Sequence, residues 1–323
     1  MERSCAAMHG LRHKPTPHRC APSLLGRQHL CTHVVRASRH RSLEPVSTRD
    51  VGFPYSNEFI LEDGKIVDAV TVVKLLEPFA LEERVRRIEG VVQNRTFSVL
   101  PIVEGLYDMG NLAAVCRTAD ALGYGAVHCI NRGDTKYKVS QRTAAGADKW
   151  LDVKIWDSTS ECLAAVRAAG YQIITTHLSR SSVSICDVDW SRPTAFILGN
   201  EKRGVSEEAV AGADACAVIP MAGMVESFNI SVASALVMYE ARQQRMRRLG
   251  SHADLGEAEQ TALKAVMLSK TVKESKTVLS ELLSRPPPRW QASAIKETAK
   301  QGMMYEASVA ARASRTAGAA VSS

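Results

Sequence analysis

Phe97-Ser98-Val99-Leu100-Pro101-Ile102-Val103 is a short, mostly apolar run of the kind a strand shows when both its faces are covered. A Gly-containing loop and a helical pattern over 112–122 follow, and Ala126-Val127-His128-Cys129-Ile130 begins a second apolar strand at once. A strand, a crossover helix and another strand make the unit that builds parallel sheets. Working outward, the same alternation continues: strands at 151–155, 171–176, 194–198 and 215–219, with a helix at 160–169. Before it lies a basic amphipathic helix over 79–94, with Leu81, Val85, Ile88 and Val92 near helical spacing and Glu82, Glu83, Arg84, Arg86 and Arg87 elsewhere on its surface. After it comes a long helix over 229–248, apolar first and basic at its end. A helical stretch over 257–283 stops at Pro286-Pro287-Pro288. The predicted fold class is α/β, a parallel sheet with helices on both faces.

Composition sets the outer limits. The chain has 323 residues, 45% hydrophobic and 23% charged, enough apolar mass for a sizeable core in one or two domains. No apolar run approaches the roughly 18 residues of a membrane helix, because the best stretch, 230–239, is broken by Ser231 and Ser234. No membrane partner is therefore expected. The formal charge of +7 suggests an acidic partner until it is located: residues 1–43 hold Glu2 against eight Arg and Lys, and the rest of the chain is balanced. That segment also holds six of the nine histidines and has no sustained apolar periodicity, as in an Arg-rich, acid-poor organelle transit peptide. Val35-Arg36-Ala37 resembles a plastid processing site, so a chloroplast is expected over a mitochondrion; a basic tail that binds RNA is the other reading. Cys116, Cys129, Cys162, Cys186 and Cys216 are far apart with no C-x-x-C pair, so neither zinc nor a disulfide framework is signalled. The expected organisation is 1–43 transit peptide, 44–77 linker, 78–250 the α/β domain, 251–285 a helical extension, and 286–323 an Ala- and Ser-rich disordered tail.

Ligands of open α/β sheets bind at the carboxyl ends of the strands, so the loops there carry the functional reading. Three are unusual. Glu104-Gly105-Leu106-Tyr107-Asp108-Met109-Gly110-Asn111 leads into a helix bearing Arg117; taken alone, Asn111 reads equally as an ordinary N-cap. Leu198-Gly199-Asn200-Glu201-Lys202-Arg203-Gly204 opens a helix at Ser206-Glu207-Glu208, a pattern that also suits a plain Gly-rich turn. Ile219-Pro220-Met221-Ala222-Gly223-Met224-Val225-Glu226-Ser227-Phe228-Asn229 mixes apolar residues with Ser227 and Asn229, which suits a lined pocket better than a solvated connector. The dinucleotide fingerprint, the phosphate-binding G-x-x-x-x-G-K-[ST], the nucleophile elbow and H-E-x-x-H are all missing, which leaves a nicotinamide-dependent oxidoreductase remote.

In this order the three loops resemble the motifs of the SpoU branch of the SPOUT RNA methyltransferases: Asn111 with Arg117-Thr118-Ala119-Asp120-Ala121-Leu122-Gly123, Leu198-Gly199-Asn200-Glu201 with Gly204, and Ile219-Pro220-Met221 through Ser227-Phe228-Asn229. Residues 79–248, including Leu81-Glu82-Glu83-Arg84, Gly146, Lys149-Trp150 and Glu240-Ala241-Arg242-Gln243-Gln244-Arg245, are similar to the TrmH group within it, whose members methylate a guanosine ribose in the tRNA D loop. Where that group carries His-x-Pro-His before the first Asn, this chain has Tyr107-Asp108-Met109-Gly110, and Phe228 replaces a Leu.

The resemblance implies a deep carboxyl-terminal trefoil knot, a homodimer with the 229–248 helix in its interface, and S-adenosylmethionine held by Thr176, Leu198, Gly199, Ile219 and Phe228. It implies transfer of a methyl group to a ribose 2′-oxygen with Arg117 at that oxygen, as a transient base or as a charged orienter, and Asn111, Glu201, Ser227 and Asn229 around it. No metal is implied. With the mature charge near zero, RNA capture falls to local patches: Arg84, Arg87, Arg132, Lys136, Lys138, Arg142 and Arg245. Organelle rRNA in place of tRNA, and a non-catalytic RNA-binding module of the same fold, are the alternatives.

Overall fold

The structure, a computed structural model, describes residues 43, 45–47, 51–61, 63–105, 109–131, 146–179, 181–200 and 203–284. Its first part corrects the expectation of a linker over 44–77. Strands β1 (Pro45–Ser47), β2 (Tyr55–Ile60) and β3 (Ile66–Asp68) form an antiparallel sheet, and helix α1 (Ala69–Leu76) follows with Asp68 as its cap, accepting from the Thr71 amide at 2.9 Å. The physical reason is burial: Phe59, Val67, Val72 and Leu76 point into one apolar cluster. Helix α2 (Glu82–Gln93) begins three residues later than expected, because a 3-10 turn with Pro78 inside it precedes it and Ala80 is extended.

The main sheet has seven parallel strands among the described residues. They are β4 (Val99–Glu104), β5 (Ala126–Ile130), β6 (Asp152–Trp156), β7 (Gln172–Thr176), β8 (Val183–Ser184), β9 (Thr194–Leu198) and β10 (Ala215–Val218), in the order β6-β5-β4-β9-β7-β10-β8. The helices are α3 (Met109–Leu122), α4 (Thr159–Ala168), α5 (Glu207–Ala211), α6 (Ile230–Leu249), α7 (Glu257–Thr271) and α8 (Ser275–Ser284). Side chains alternate across the sheet: along β4, Leu100 and Ile102 join the cluster that also holds α2 and α7, while Val99 and Val103 join the one that holds α3 and α6. The apolar strands are thus covered on both faces, as their composition predicts. The expected 257–283 helix is divided, with Val272 extended and Glu274 at φ 52°; Ser275, the first residue of the second half, accepts from the Leu43 amide at 3.2 Å.

At the amino ends of the strands, polar side chains lock the elements together. Arg95, 1% exposed, donates to the Tyr124 carbonyl at 2.5 Å and pairs with Asp120 of α3. Asp254, beyond α6, accepts from Arg245 at 2.9 Å, from the amides of Phe97 and Ser98 at 3.2 and 3.3 Å, and from the Thr96 hydroxyl. His252 packs edge-on to Tyr124, ring centroids 4.9 Å apart, and burial beside Arg245 and Arg242 holds its pKa down at about 4.

Candidate active site

At the opposite edge of the sheet the three unusual loops meet. Glu104, fully buried at the end of β4, accepts from the Ser206 amide at 2.7 Å, the Ser206 hydroxyl at 2.6 Å and the Thr159 hydroxyl at 2.6 Å. It thereby binds the start of α5 and the start of α4 to the first loop. Asn200 donates from Nδ2 to the Gly105 carbonyl at 2.7 Å and accepts from the Gly204 amide at 2.8 Å through its own carbonyl. The second loop closes tightly on itself here: a Cβ at Gly199 would stand 2.1 Å from the backbone of Gly204 and Val205, and Gly204 itself has φ +65°. Glu104 and Asn200 were not among the site residues read from sequence. The available signal was a carboxylate ending an otherwise apolar strand, whose burial demands partners.

Asn111 lies in the first turn of α3, inside the helix and not at its cap, and Asn229 donates from Nδ2 to its Oδ1 at 3.2 Å. Asn229 also caps α6, its Oδ1 accepting from the Ser231 amide at 2.9 Å and the Ser231 hydroxyl at 2.6 Å. One amide side chain therefore fixes the starts of two helices relative to each other. Ser227 is exposed two residues away. Arg117 projects into solvent from α3 and makes no ion pair or hydrogen bond with a described residue. An unpaired guanidinium keeps its whole fork of donors for an incoming group.

Four of the five residues read as cofactor contacts fall at neighbouring strand ends. Leu198 ends β9, Thr176 ends β7, and Ile219 lies just beyond β10; the register pairs Thr175 with Ile197 and Thr176 with Ala217, so the three sit side by side. The Thr176 hydroxyl donates to the Ile197 carbonyl at 3.1 Å. Gly199 follows Leu198, and Phe228, 37% exposed, lies beside the α6 cap. The half-covered apolar walls and close-set backbone suit a flat ring with polar edges.

Of the residues expected to meet RNA, Arg84 and Arg87 are exposed on α2. Arg245 is a correction: it is 2% exposed and held by Asp254 and the His252 carbonyl, because its position on α6 faces the strand starts and not solvent. Glu201, Arg132, Lys136, Lys138 and Arg142 lie outside the described residues. Among the described residues no cluster of His, Cys, Asp and Glu is arranged to hold a metal ion.

The profile of the SpoU rRNA Methylase family matches residues 99–239, the span from β4 into α6 that carries all three loops. The tRNA (guanosine(18)-2′-O)-methyltransferase of Escherichia coli K12 is 38% identical over 183 residues, which is 56% of this chain and 80% of the bacterial one. Its namesake from Aquifex aeolicus is 34% identical over 208 residues, 64% of this chain and 99% of the relative. The crystal structure of the A. aeolicus TrmH/SpoU tRNA modifying enzyme superposes with a TM-score of 0.54 at 32% identity, over 59% of this chain and 98% of that one.

Proposed function

This chain belongs to the SpoU methylase family, and from that premise we propose that it transfers a methyl group from S-adenosylmethionine to a ribose 2′-hydroxyl of RNA, the target being a guanosine in the D loop of tRNA. The observation that carries the reading is Arg117, exposed and unpaired on the helix whose first turn is bound through Asn111 to the capping Asn229.

S-adenosylmethionine, when bound, supplies a methyl group activated on a sulfonium. Leu198, Ile219 and Phe228 offer apolar walls for its adenine, and Gly199 lets the second loop close on Gly204 and Val205 beside them. Displacement at a methyl group requires the attacking oxygen in line with the leaving sulfur, so the chain's task is alignment and charge stabilisation. Arg117 directs two donors at the 2′-oxygen and stabilises the negative charge developing there as an orienter, because a guanidinium has donors and no acceptor; the proton passes to another acceptor, such as an RNA phosphate. Asn111 and Asn229 hold the starts of α3 and α6 together, and with them the helix that carries this guanidinium. Ser227, on the same loop, is placed to orient the ribose, and Glu201 belongs to the same set by its place in the second loop.

Three further features belong to this reading. The chain forms a homodimer through α6, supported by an exposed apolar stripe of Val232, Leu236, Tyr239, Met246 and Leu249 at near-heptad spacing. The path is knotted, supported by the return of β9 between β4 and β7 before the chain crosses to β10 and α6. The basic, acid-poor segment 1–43 directs the protein to an organelle, a chloroplast before a mitochondrion.

The test is transfer of label from S-adenosylmethionine to unmodified plastid tRNA and, separately, to rRNA fragments, with nuclease mapping of the product. Labelled 2′-O-methylguanosine in the D loop is the expected result. Label confined to rRNA would move the substrate, and cofactor binding with no label on either RNA would leave a non-catalytic RNA-binding module.

A further inference from the structure

The first loop holds the second at two points. The fully buried Glu104 carboxylate accepts from the Ser206 amide at 2.7 Å and the Ser206 hydroxyl at 2.6 Å, and the neighbouring Gly105 carbonyl accepts from Asn200 Nδ2 at 2.7 Å. Asn200 stands at the start of the second loop and Ser206 just past its close. Between them the backbone shuts on itself: the Gly204 amide donates to the Asn200 carbonyl at 2.8 Å, and Gly199 has no room for a side chain against Gly204 and Val205. The holding points are themselves fixed, because Val103 and Leu198 are paired across β4 and β9 and the Gly105 amide donates to the Ile130 carbonyl at 3.0 Å. The Ser206 hydroxyl also accepts from the Ala209 amide at 3.1 Å, which keeps its proton for Glu104 and gives that bond one direction. No described cation pairs with Glu104, so the donors of Ser206 and Thr159 alone offset its burial. A carboxylate satisfied in that way tolerates little movement of any donor.

We infer that Glu104 is a positioning residue for methyl transfer: it holds the second loop, and with it Leu198 and Gly199, in the arrangement that receives S-adenosylmethionine. The inference rests on the methyltransferase reading and on the place given there to Leu198 and Gly199. Glu104 touches neither cofactor nor RNA; it acts through Ser206. Packing alone does not call for a carboxyl here, since the five preceding residues of β4 are buried and apolar and a sixth would complete the strand without needing donors. The two connections of Glu104 are also separable. Ser206 leads to the second loop, whereas Thr159 leads only to the start of α4. Loss of the Ser206 bonds therefore frees the cofactor's loop, and loss of the Thr159 bond costs stability alone. The same strap sets the second loop against the first, which runs on into α3 and Arg117. Alignment of methyl group and attacking oxygen depends on that spacing.

Equilibrium dialysis with labelled S-adenosylmethionine tests this without RNA, on wild type, Glu104→Leu, Glu104→Gln, Ser206→Ala and Thr159→Val, with the urea midpoint of each and KM and kcat for methyl transfer to a tRNA transcript. Glu104→Leu fills the space but accepts nothing. It is expected to bind the cofactor about tenfold or more weakly, with KM for the cofactor raised as much and KM for tRNA unchanged. Glu104→Gln keeps an oxygen for the Ser206 amide and offers its NH2 group to the two hydroxyl oxygens, so it retains most of the affinity. Ser206→Ala keeps only the amide bond and binds about threefold more weakly, while Thr159→Val lowers the urea midpoint at wild-type cofactor affinity. Wild-type affinity in folded Glu104→Leu, whatever its midpoint, would overturn the inference and leave the methyltransferase reading intact. Should Glu104→Leu not fold, Ser206→Ala with wild-type affinity overturns it equally, as does Thr159→Val binding no better than Ser206→Ala, since the loss would then follow stability and not the loop. Cofactor affinity that follows Glu104 and Ser206 in a protein that methylates neither tRNA nor rRNA would keep Glu104 at the cofactor and defeat that reading; a wild type that binds no cofactor would defeat both.

Discussion

The two edges of the parallel sheet use arginine in opposite ways. At the amino edge Arg95 and Arg245 are almost wholly buried and each has a carboxylate, Asp120 and Asp254. On α3, the helix that leaves the carboxyl edge, Arg117 is exposed with no partner among the described residues. At the carboxyl edge the buried charge belongs instead to Glu104, which is satisfied by hydroxyls and an amide and leaves no cation consumed. The difference separates scaffold from chemistry: a buried guanidinium must be paired or it destabilises the fold, whereas one meant for substrate must be left unpaired. Side-chain type does not distinguish the two; the distinction lies in which carboxylate the fold brings near.

The largest effect that this contrast predicts is at Arg245. Arg245→Ala leaves the Asp254 carboxylate without its guanidinium, and unfolding in urea is expected to show a loss of about 3–5 kcal/mol. The contrast breaks if the unfolding midpoint stays at the wild-type value while tRNA affinity falls, since Arg245 would then be acting as a surface cation.

His252 sharpens the same edge. Burial, then Arg245 and Arg242, keep it neutral in the folded state down to about pH 4, whereas the unfolded chain protonates it near the ordinary value of about 6.5. The unfolded state thus binds more protons between these values, so the stability tied to neutral His252 is complete above about 6.5 and lost as pH falls toward about 4. Between about pH 7 and about pH 5 the loss is on the order of 2 kcal/mol, and His252→Gln removes it, as urea midpoints at the two pH values will show. A variant with the wild-type pH dependence would place the acid sensitivity elsewhere.

A smaller effect belongs to the carboxyl edge. Asn229→Ala removes the α6 cap and the link to Asn111, at about 1 kcal/mol of stability. Its effect on methyl transfer exceeds what unfolding explains if the link orients α3. A rate that falls only in proportion to the unfolded fraction would reduce Asn229 to a cap.

Much of this was legible beforehand. Short apolar strands such as 99–104 and 194–198 announce a sheet covered on both faces, and the order of the loops points to the edge of the sheet where Asn111 meets Asn229. The 44–77 region was not, because its strands are as short as three residues and take their stability from tertiary contacts of Phe59 and Val67. Nor was the burial of Arg245, whose partner Asp254 lies nine residues on, past the end of the helix. Glu104 escaped for the opposite reason: its partners Thr159 and Ser206 are 55 and 102 residues away, and only the fold assembles them.

The central claim is that Arg117 serves chemistry and not the fold. The direct measurement is the methyl-transfer rate to unmodified tRNA for Arg117→Lys beside wild type, with the urea midpoint of each. Lysine keeps the charge but lacks the planar fork, so the rate is expected to fall by about 10²-fold or more at an unchanged midpoint. Arg117→Lys retaining most of the wild-type rate would contradict the account.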